Sequence, residues 1–314
     1  MEKLTRRDFL KVNLGIAAAA LLPEFLLAAE EDEAPAGPVI AVARSDPSKN
    51  GVSTLLVKAA VDQLGGIEQF ISSGDTVCIK PNISFAANRE CGATTSPGIA
   101  QQVVQLCLDA GAAKVIILDY PLANAKLCVA NSGIEAAIVD KKKVSLLMLS
   151  QERQFSEIEV PGGQELLSVK VAKAVLQADK LINLPTAKSH SATGVSLGLK
   201  NLMGLIWERS SLHSMNLHRA IAELSLVIRP DLTIVDATRA LTSGGPGGPG
   251  KTVELNTVVA GADVVAVDSY TVGLTPWYNR AYTGKSVKYI AAAAELGLGE
   301  IDPEKMTIKE ISVE

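Results

Sequence analysis

The chain has 314 residues, of which 30 are basic and 34 acidic, and its formal net charge of −4 leaves no basic stripe that would suit nucleic acid. This length is ample for one large core or for two lobes. Aromatic residues make up only 4% of the chain, and its aliphatic composition favours helices packed on buried strands.

The first residues predict an export signal rather than part of a fold. Thr5–Lys11 has the sequence TRRDFLK and precedes an apolar stretch that runs from Val12 to Ala29. A charged start, a short apolar middle and a small-residue exit are typical of a secretory signal. The paired arginines match the twin-arginine signal, which the export machinery recognises as an address. Glu24 lies inside the apolar stretch and opposes a permanent membrane span.

This interpretation divides the chain into three parts. We expect residues 1–29 to be the twin-arginine signal, residues 30–37 an acidic linker and residues 38–314 a single α/β domain. The domain would then work in the periplasm, with the export machinery as a partner and with a membrane contact only through an uncleaved signal. An amphipathic first helix of a cytoplasmic protein is the alternative.

Strand and helix patterns alternate along the predicted domain. A strand, a helix that ends at a glycine turn and a second strand indicate a parallel crossover unit. We therefore predict an α/β fold with a mostly parallel sheet flanked by helices. The predicted segments of the first half are a strand at 38–45, a helix at 51–71, a strand at 75–83, a helix at 96–112 and a strand at 113–120.

The second half adds a small β insertion in the middle of the chain. Residues 155–173 resemble a β-hairpin around a Pro-Gly-Gly turn. The other predicted segments are a helix at 132–143, a strand at 144–150, a strand within 178–190 that breaks into a loop, a helix at 217–230, a strand at 231–241, a glycine-rich loop at 244–252, a strand or turn that leads into a helix over 256–274, and a helix at 285–299.

Polar residues follow several of the predicted strands at the point where each strand ends. In open α/β sheets, ligands bind at the carboxyl ends of the strands. We therefore predict that side chains from separate strands meet around one pocket. The residues that follow an apolar run in this way are Lys80 and Asn82, Asp119, Lys188 and His190, Asp236, and the glycine-rich loop.

The glycine-rich loop, with Gly244, Gly245 and Lys251, matches the letters of a phosphate loop, G-x-x-x-x-G-K-[ST]. A true phosphate loop needs backbone N–H donors ahead of a helix, but Pro246 and Pro249 remove two donors and β-branched residues follow. We expect instead a rigid loop that lines the pocket, with Lys251 facing an anionic ligand. A purely structural turn is the alternative.

The segment LPTAKSHSATGVSLGLKN carries the densest chemistry of the chain. Lys188, His190 and Lys200 lie within it, separated by small residues. Two lysines with a histidine suit a carboxylate or a phosphate, with the histidine as proton carrier. Solvated surface lysines are the alternative interpretation.

Neither the histidines nor the cysteines show the close spacing of a metal or cluster site. A metal site built from His190, His213 and His218, with Asp236 or Asp268 as a hard partner, is the alternative, but three-histidine sites normally show stronger spacing signals. The four cysteines include no C-x-x-C pair, so the chain has no clustered-cysteine iron–sulfur motif. We therefore predict no metal ligands, and the sequence does not identify a cofactor.

Extended segments of the chain resemble the family described as domain of unknown function 362. They are CIKPNIS, ATTSPGIAQQVVQLCLDAGA, ADKLINLPTAKSHSATGVSLGLKNLMGLI, IRPDLTIVDATRAL with the following GGPGG, and VVAGADVVAVDSYTVGL with ELGLGE. The resemblance implies one α/β domain and no particular reaction. Some relatives carry an added ferredoxin-like module, which these segments do not contain. The residues to which the resemblance points are Lys80, Asn82, Lys188, His190, Lys200, Asn201, Asp236 and Asp268.

These observations lead to one hypothesis, which is an exported protein with a cationic pocket for a small anionic ligand or cofactor. In it Lys80, Lys188 and Lys200 neutralise ligand charge and His190 acts as acid or base. Asp236 and Asp268 orient a lysine or a metal. An enzyme that transfers protons or electrons is one form of this hypothesis. A non-catalytic periplasmic binding or accessory protein is the alternative, and a metalloprotein that uses His190, His213 and His218 is the third.

Overall fold

The computed structural model describes residues 37–46 and 53–313, so the predicted export signal and nearly all of the predicted linker lie outside the described residues. No helix within the described ranges is long and apolar enough to cross a lipid bilayer. The strands are β1 (Val39–Ser45), β2 (Thr76–Pro81), β3 (Lys114–Asp119), β4 (Val144–Met148), β5 (Phe155–Glu159), β6 (Ser168–Ala172), β7 (Lys180–Leu184), β8 (Thr186–His190), β9 (Gly194–Ser196), β10 (Leu232–Leu241), β11 (Thr252–Gly261) and β12 (Thr307–Val313).

Eight α-helices lie in the described part of the chain. They are α1 (Ser53–Gln63), α2 (Pro97–Asp109), α3 (Ala125–Ser132), α4 (Lys173–Gln177), α5 (Gly198–Asn201), α6 (Leu217–Leu224), α7 (Val264–Val272) and α8 (Lys288–Glu295). Two 3₁₀ segments, Leu202–Leu205 and Arg209–Ser214, follow α5 and contribute to the site described below.

Ten of these strands form one sheet in which parallel pairs predominate. The strand order is β12-β1-β11-β10-β7-β2-β3-β4, and β8 pairs with both β10 and β9. Within this ten-stranded sheet, the antiparallel pairs are β11 with its two neighbours and β9 with β8. Strands β5 and β6 form a separate antiparallel hairpin. The predicted α/β class, its mostly parallel sheet and its small β insertion are therefore confirmed.

Both faces of the sheet are buried, which explains why its strands appear in the sequence as continuous apolar runs. Successive side chains of a strand point to opposite faces. In β1, Ile40 and Val42 pack into the apolar core that includes α6, α7 and α8. Ala41 and Ala43 pack into a second core with α1 and α2.

Three local predictions differ from the structure. The segment expected to break into a loop after β7 continues, past Pro185, as the buried strand β8, because β10 and β9 offer it new hydrogen-bonding partners. The helix predicted at 132–143 is present only as the 3₁₀ turn Ile134–Ala137, and α3 ends before it at Ser132, where Gly133 adopts a φ of 70°. Strand β12, which pairs with β1 at the sheet edge, was not predicted.

Strands β2, β3 and β8 all run in the same direction within the sheet. Strands β2 and β3 pair in parallel, and β2 is linked to β8 through the parallel neighbours β7 and β10. Their carboxyl ends, at Pro81, Asp119 and His190, therefore lie along one edge. This is the edge at which ligands of such sheets bind.

Candidate functional site

A cavity of about 160 Å³ opens at this edge of the sheet. It is smaller than the roughly 300–1,000 Å³ of sites for drug-sized ligands, so it suits a small metabolite. Its walls come from β8, from the loop after β2, from α5 and from the two 3₁₀ segments. The polar and charged residues that line it are Asn82, Ser84, Lys188, His190, Ser196, Lys200, Asn201, Arg209, Ser210 and His213.

A buried ion pair lies under the floor of the cavity. Lys80 Nζ is 3.0 Å from Asp119 Oδ1, and both side chains are almost fully buried. Asp119 also accepts hydrogen bonds from the backbone N–H groups of Ile83 and Tyr120, each at 2.8 Å. Burial lowers the pKa of Lys80, while the neighbouring Asp119 raises it. A fixed carboxylate thus compensates the charge of this lysine.

Gly204 forms the floor of the cavity. A larger residue does not fit at this position. A Cβ atom at this position would lie 2.4 Å from Asp119 Oδ1 and 2.5 Å from Lys80 Cε. The absence of a side chain lets the 3₁₀ segment lie directly on the ion pair.

A network of side-chain amides connects Lys80 to Lys188. Asn201 Oδ1 accepts hydrogen bonds from Lys80 Nζ at 3.2 Å and from Asn82 Nδ2 at 3.0 Å. Asn201 Nδ2 donates to the carbonyl oxygen of Lys80 and to Asn183 Oδ1. Asn82 Oδ1 in turn accepts from Lys188 Nζ at 2.9 Å. Because every amide group of the two cavity asparagines is engaged, their orientations are determined.

Lys188 is fully buried and forms no ion pair with a carboxylate of the described residues. Its Nζ donates to Asn82 Oδ1 and, at 2.6 Å, to the carbonyl oxygen of Ala93, and it lies 4.8 Å from the centroid of the Phe85 ring. Burial lowers the pKa of Lys188 well below its ordinary value, and the positive charge of Lys200 lowers it further. The charge of Asp119 raises the pKa of both buried lysines of the site against the effect of burial, but of the two only Lys80 forms an ion pair with it.

His190 is held in one tautomer by the backbone. Its Nδ1 accepts a hydrogen bond from the N–H of Ala192 at 3.1 Å, which leaves the proton of the neutral ring on Nε2. Burial, together with the charges of Lys200 and Lys188, lowers the pKa of His190 to about 3. The ring is therefore neutral at physiological pH and serves as an Nε2–H donor rather than as an imidazolium acid.

Arg209 is a site residue that sequence reasoning missed. It is buried, its Nε has no hydrogen-bond partner among the described residues, and its guanidinium lies 5.0 Å from the centroid of the Tyr120 ring. Tyr120 stacks on Trp207, with ring centroids 5.3 Å apart. The segment WERSS shows no pattern that would identify this arginine, because the aromatic support comes from the end of β3.

Lys200 completes the positive charge of the cavity. Its Nζ approaches Met203 Sδ at 3.6 Å, and it forms no ion pair with a described carboxylate. Burial and the charge of Arg209 lower the pKa of Lys200 to about 8. Lys188, Lys200 and Arg209 thus line one small cavity, and none of the three pairs with a carboxylate in the described part of the chain.

Two of the predicted acids lie outside the cavity and support its walls instead. Asp236, on β10, accepts hydrogen bonds from the N–H of Ser96 at 2.7 Å and from Thr238, so it fixes the turn ahead of α2. Asp268, on α7, accepts from the N–H groups of Gly198 and Leu199 at 2.7 and 2.9 Å, at the start of α5. The sequence analysis predicted that these two acids orient a lysine or a metal, whereas both carboxylates bind backbone N–H groups.

The glycine-rich loop contributes less to the cavity than predicted. Gly244 and Lys251 are exposed and do not line it, while Pro246 does. Gly245 packs on β8, where its N–H donates to Ser189 Oγ and a Cβ would lie 1.9 Å from the Ser189 carbonyl oxygen. A turn that packs on β8 is thus the better description of this loop.

The histidines do not converge on a metal site. His190 and His213 line the cavity, whereas His218 on α6 does not. Within the described ranges no group of three or more histidine, cysteine, aspartate or glutamate side chains is placed to hold a metal ion. The lysines around His190 and His213 would also repel a cation.

Residues 77–273 match the family described as Domain of unknown function (DUF362). The chain is 28% identical over 246 residues to the thylakoid-associated protein sll1697 of Synechocystis, which covers 73% of this chain and 72% of that protein. The lactate racemase apoprotein of Thermoanaerobacterium thermosaccharolyticum superposes with a TM-score of 0.48 at 14% identity. That similarity covers 72% of this chain but only 54% of the racemase chain.

Proposed function

This chain belongs to the DUF362 family, and we propose that its cavity binds a small molecule that carries a carboxylate or a phosphate. One observation supports this most directly, which is that Lys200 and Arg209 line one small cavity without a described carboxylate partner. Buried charges are costly unless they are paired. An anionic group in the cavity would provide that pairing.

The side chains around the anion divide into two sets. Lys200 and Arg209 provide the charge that holds it, because a guanidinium forms bidentate hydrogen bonds with carboxylate or phosphate. Lys188 and the neutral His190 are then available to the rest of the ligand. On the basis of this arrangement, we propose that the protein is an enzyme that transfers protons. Lys188 would be the base and His190 a hydrogen-bond donor. A ligand that binds without turnover would identify a binding protein instead.

We also propose that the protein is exported by the twin-arginine route and works in the periplasm. The support is the sequence Thr5–Lys11 followed by an apolar stretch with a small-residue exit.

Calorimetric titration with lactate, acetate and inorganic phosphate tests the anion site. Arg209→Met and Lys200→Met should each weaken the best of these ligands about tenfold or more, since a hydrogen bond to a charged group contributes about 1.5–3 kcal/mol. Lys305→Met, at an exposed position, is the matched control and should change nothing. Equal affinity in all three variants would remove the anion site from this cavity.

A further inference from the structure

Lys188 differs from Lys80, the other buried lysine of the site, in a way that points to covalent chemistry. Lys80 Nζ forms an ion pair with Asp119 Oδ1 at 3.0 Å, and this carboxylate raises the pKa of Lys80 against the effect of burial. Among the residues that the structure describes, the acceptors of Lys188 Nζ are neutral oxygens, from an amide and a carbonyl group. A desolvated lysine without a counter-ion is the kind that acts as an amine nucleophile.

We propose, on the basis of the anion-binding function above, that Lys188 forms an imine with small 2-oxo acids, whose carbonyl group lies next to the carboxylate. This names both the substrate class and the atom that reacts with it.

The hydrogen bonds of Lys188 leave its nitrogen one open position. A tetrahedral Nζ has four directions, of which Cε takes one and the bonds to Asn82 Oδ1 and Ala93 O take two. A neutral amine uses both of its hydrogens in these bonds, so its lone pair occupies the fourth direction. Burial and the charge of Lys200 lower the pKa of Lys188, which supports this neutral form.

The other charged residues of the cavity select an acid with an adjacent carbonyl. Lys200 and Arg209 line the same cavity as Lys188 and are free to hold a carboxylate. The cavity of about 160 Å³ leaves room for only a short ligand, so the reacting carbon must lie close to the carboxylate. A 2-oxo acid meets both requirements.

The reaction needs no oxidant or reductant. The lone pair of Lys188 Nζ bonds to the carbonyl carbon, and the carbonyl π electrons move to oxygen. The resulting carbinolamine loses that oxygen as water, which takes both hydrogens of the amine, and a C=N bond remains. His190 Nε2–H donates a hydrogen bond to the departing oxygen and stabilises the charge that develops there.

The test is reductive trapping of the full-length protein. The protein is incubated with pyruvate and then reduced with sodium borohydride, which converts an imine into a stable secondary amine. Intact mass measurement should show one added adduct, and peptide mapping should place it on Lys188. Lactate, which has the same carboxylate but a hydroxyl in place of the carbonyl, is the matched control and should give no adduct.

Lys188→Arg keeps a cation at the position but cannot form the imine, and it should lose the adduct. Lys305→Met should keep it. Because mapping is done on the unaltered protein, the result does not depend on whether the arginine variant folds. An adduct spread over surface lysines, or one on Lys80 or Lys200, would overturn the inference. Titration separates the two proposals. Binding of pyruvate or lactate without an adduct refutes the imine alone, whereas failure of pyruvate, lactate, acetate and inorganic phosphate to bind refutes the anion site as well.

Discussion

At the scale of single residues, the site depends on which buried charges have partners. Lys80 and Asp119 compensate each other beneath the cavity, at 3.0 Å. Lys188, Lys200 and Arg209 form no ion pair with a described carboxylate, although the charge of Asp119 raises the pKa of Lys188 and of Arg209. Removing a charge from the first set should thus damage the fold, whereas removing one from the second should damage binding.

Asp119→Ala should lower the free energy of unfolding by about 3–5 kcal/mol, because it leaves the buried Lys80 unpaired and frees the N–H groups of Ile83 and Tyr120. Lys58→Met, which removes a lysine from an exposed pair with Asp62, should cost less than about 1 kcal/mol. Urea unfolding of both variants checks this. Similar midpoints for the two variants would contradict the structural role of the buried pair.

The affinity for a carboxylate should fall as pH rises through about 8, the pKa to which burial and Arg209 lower Lys200. Below this pH Lys200 is charged and attracts the anion, and above it the charge is lost. Lactate suits the test because its own carboxylate is fully ionised across this range.

Titration at a series of pH values in unaltered protein and in Lys200→Arg gives the comparison. The arginine stays charged, so the step near pH 8 should vanish in this variant. A step that persists in it would assign the titration to another group.

At the scale of elements, short segments with few residues position the site. Helix α5 has only four residues, and Asp268 anchors its first turn from the neighbouring helix α7. The 3₁₀ segment that follows lies on the ion pair through Gly204. Such short elements are not stable alone, so tertiary contacts must hold them.

Gly204→Ala should lower the free energy of unfolding by about 1–3 kcal/mol, because the new methyl group overlaps Asp119 Oδ1 and Lys80 Cε. It should also weaken anion binding by moving the cavity floor. Gly74→Ala is a control for the loss of a glycine, since a Cβ there meets nothing within 4 Å, although its φ of 92° adds backbone strain. Unfolding midpoints and lactate titration measure both effects. An unchanged lactate affinity in Gly204→Ala would show that the cavity floor tolerates the displacement caused by the new methyl group.

Asp268 should make the protein less stable as pH rises from 3.8 to about 7. Burial raises its pKa from 3.8 to about 7, so the folded state retains a proton that the unfolded state loses over this interval. The stabilisation is complete below pH 3.8 and is lost once the pH exceeds about 7, the pKa of Asp268 in the folded state.

Asp268→Asn removes this titration. The difference in unfolding free energy between unaltered protein and variant should therefore change across the interval and level off above it. Denaturant unfolding at several pH values gives that difference. A constant difference would mean that Asp268 does not titrate there.

At the scale of the whole molecule, the sheet buries both faces and delivers strand ends to one edge. This places the cavity between the loop after β2 and the 3₁₀ segments, far along the chain from one another. The proposed export route also depends on the whole molecule, since the twin-arginine route carries folded proteins across the membrane.

The double substitution Arg6→Lys and Arg7→Lys should keep the protein in the cytoplasm, because the export machinery recognises the arginine pair. Fractionation of cells that express the unaltered and the altered chain measures the location of each. Replacement of Lys3 by arginine is the control and should leave export unchanged. Equal amounts outside the cytoplasm for all three would contradict the route.

The sequence by itself determined the class of fold and the chemical character of the site. Apolar runs identify strands that are buried on both faces, and glycine turns separate them from helices, because both signals arise from neighbouring residues. The convergence of Lys80, Asn82, Asp119 and Lys188 also follows from sequence, since parallel strands end at one edge.

Only the tertiary structure decided which charges are paired and which residues enter the cavity. Asp236 and Asp268 end apolar runs as a site residue would, but their carboxylates bind backbone N–H groups of distant turns. Arg209 enters the site because Tyr120 and Trp207 support it from other elements. Burial and pairing depend on contacts between residues remote in sequence, so no local pattern can encode them.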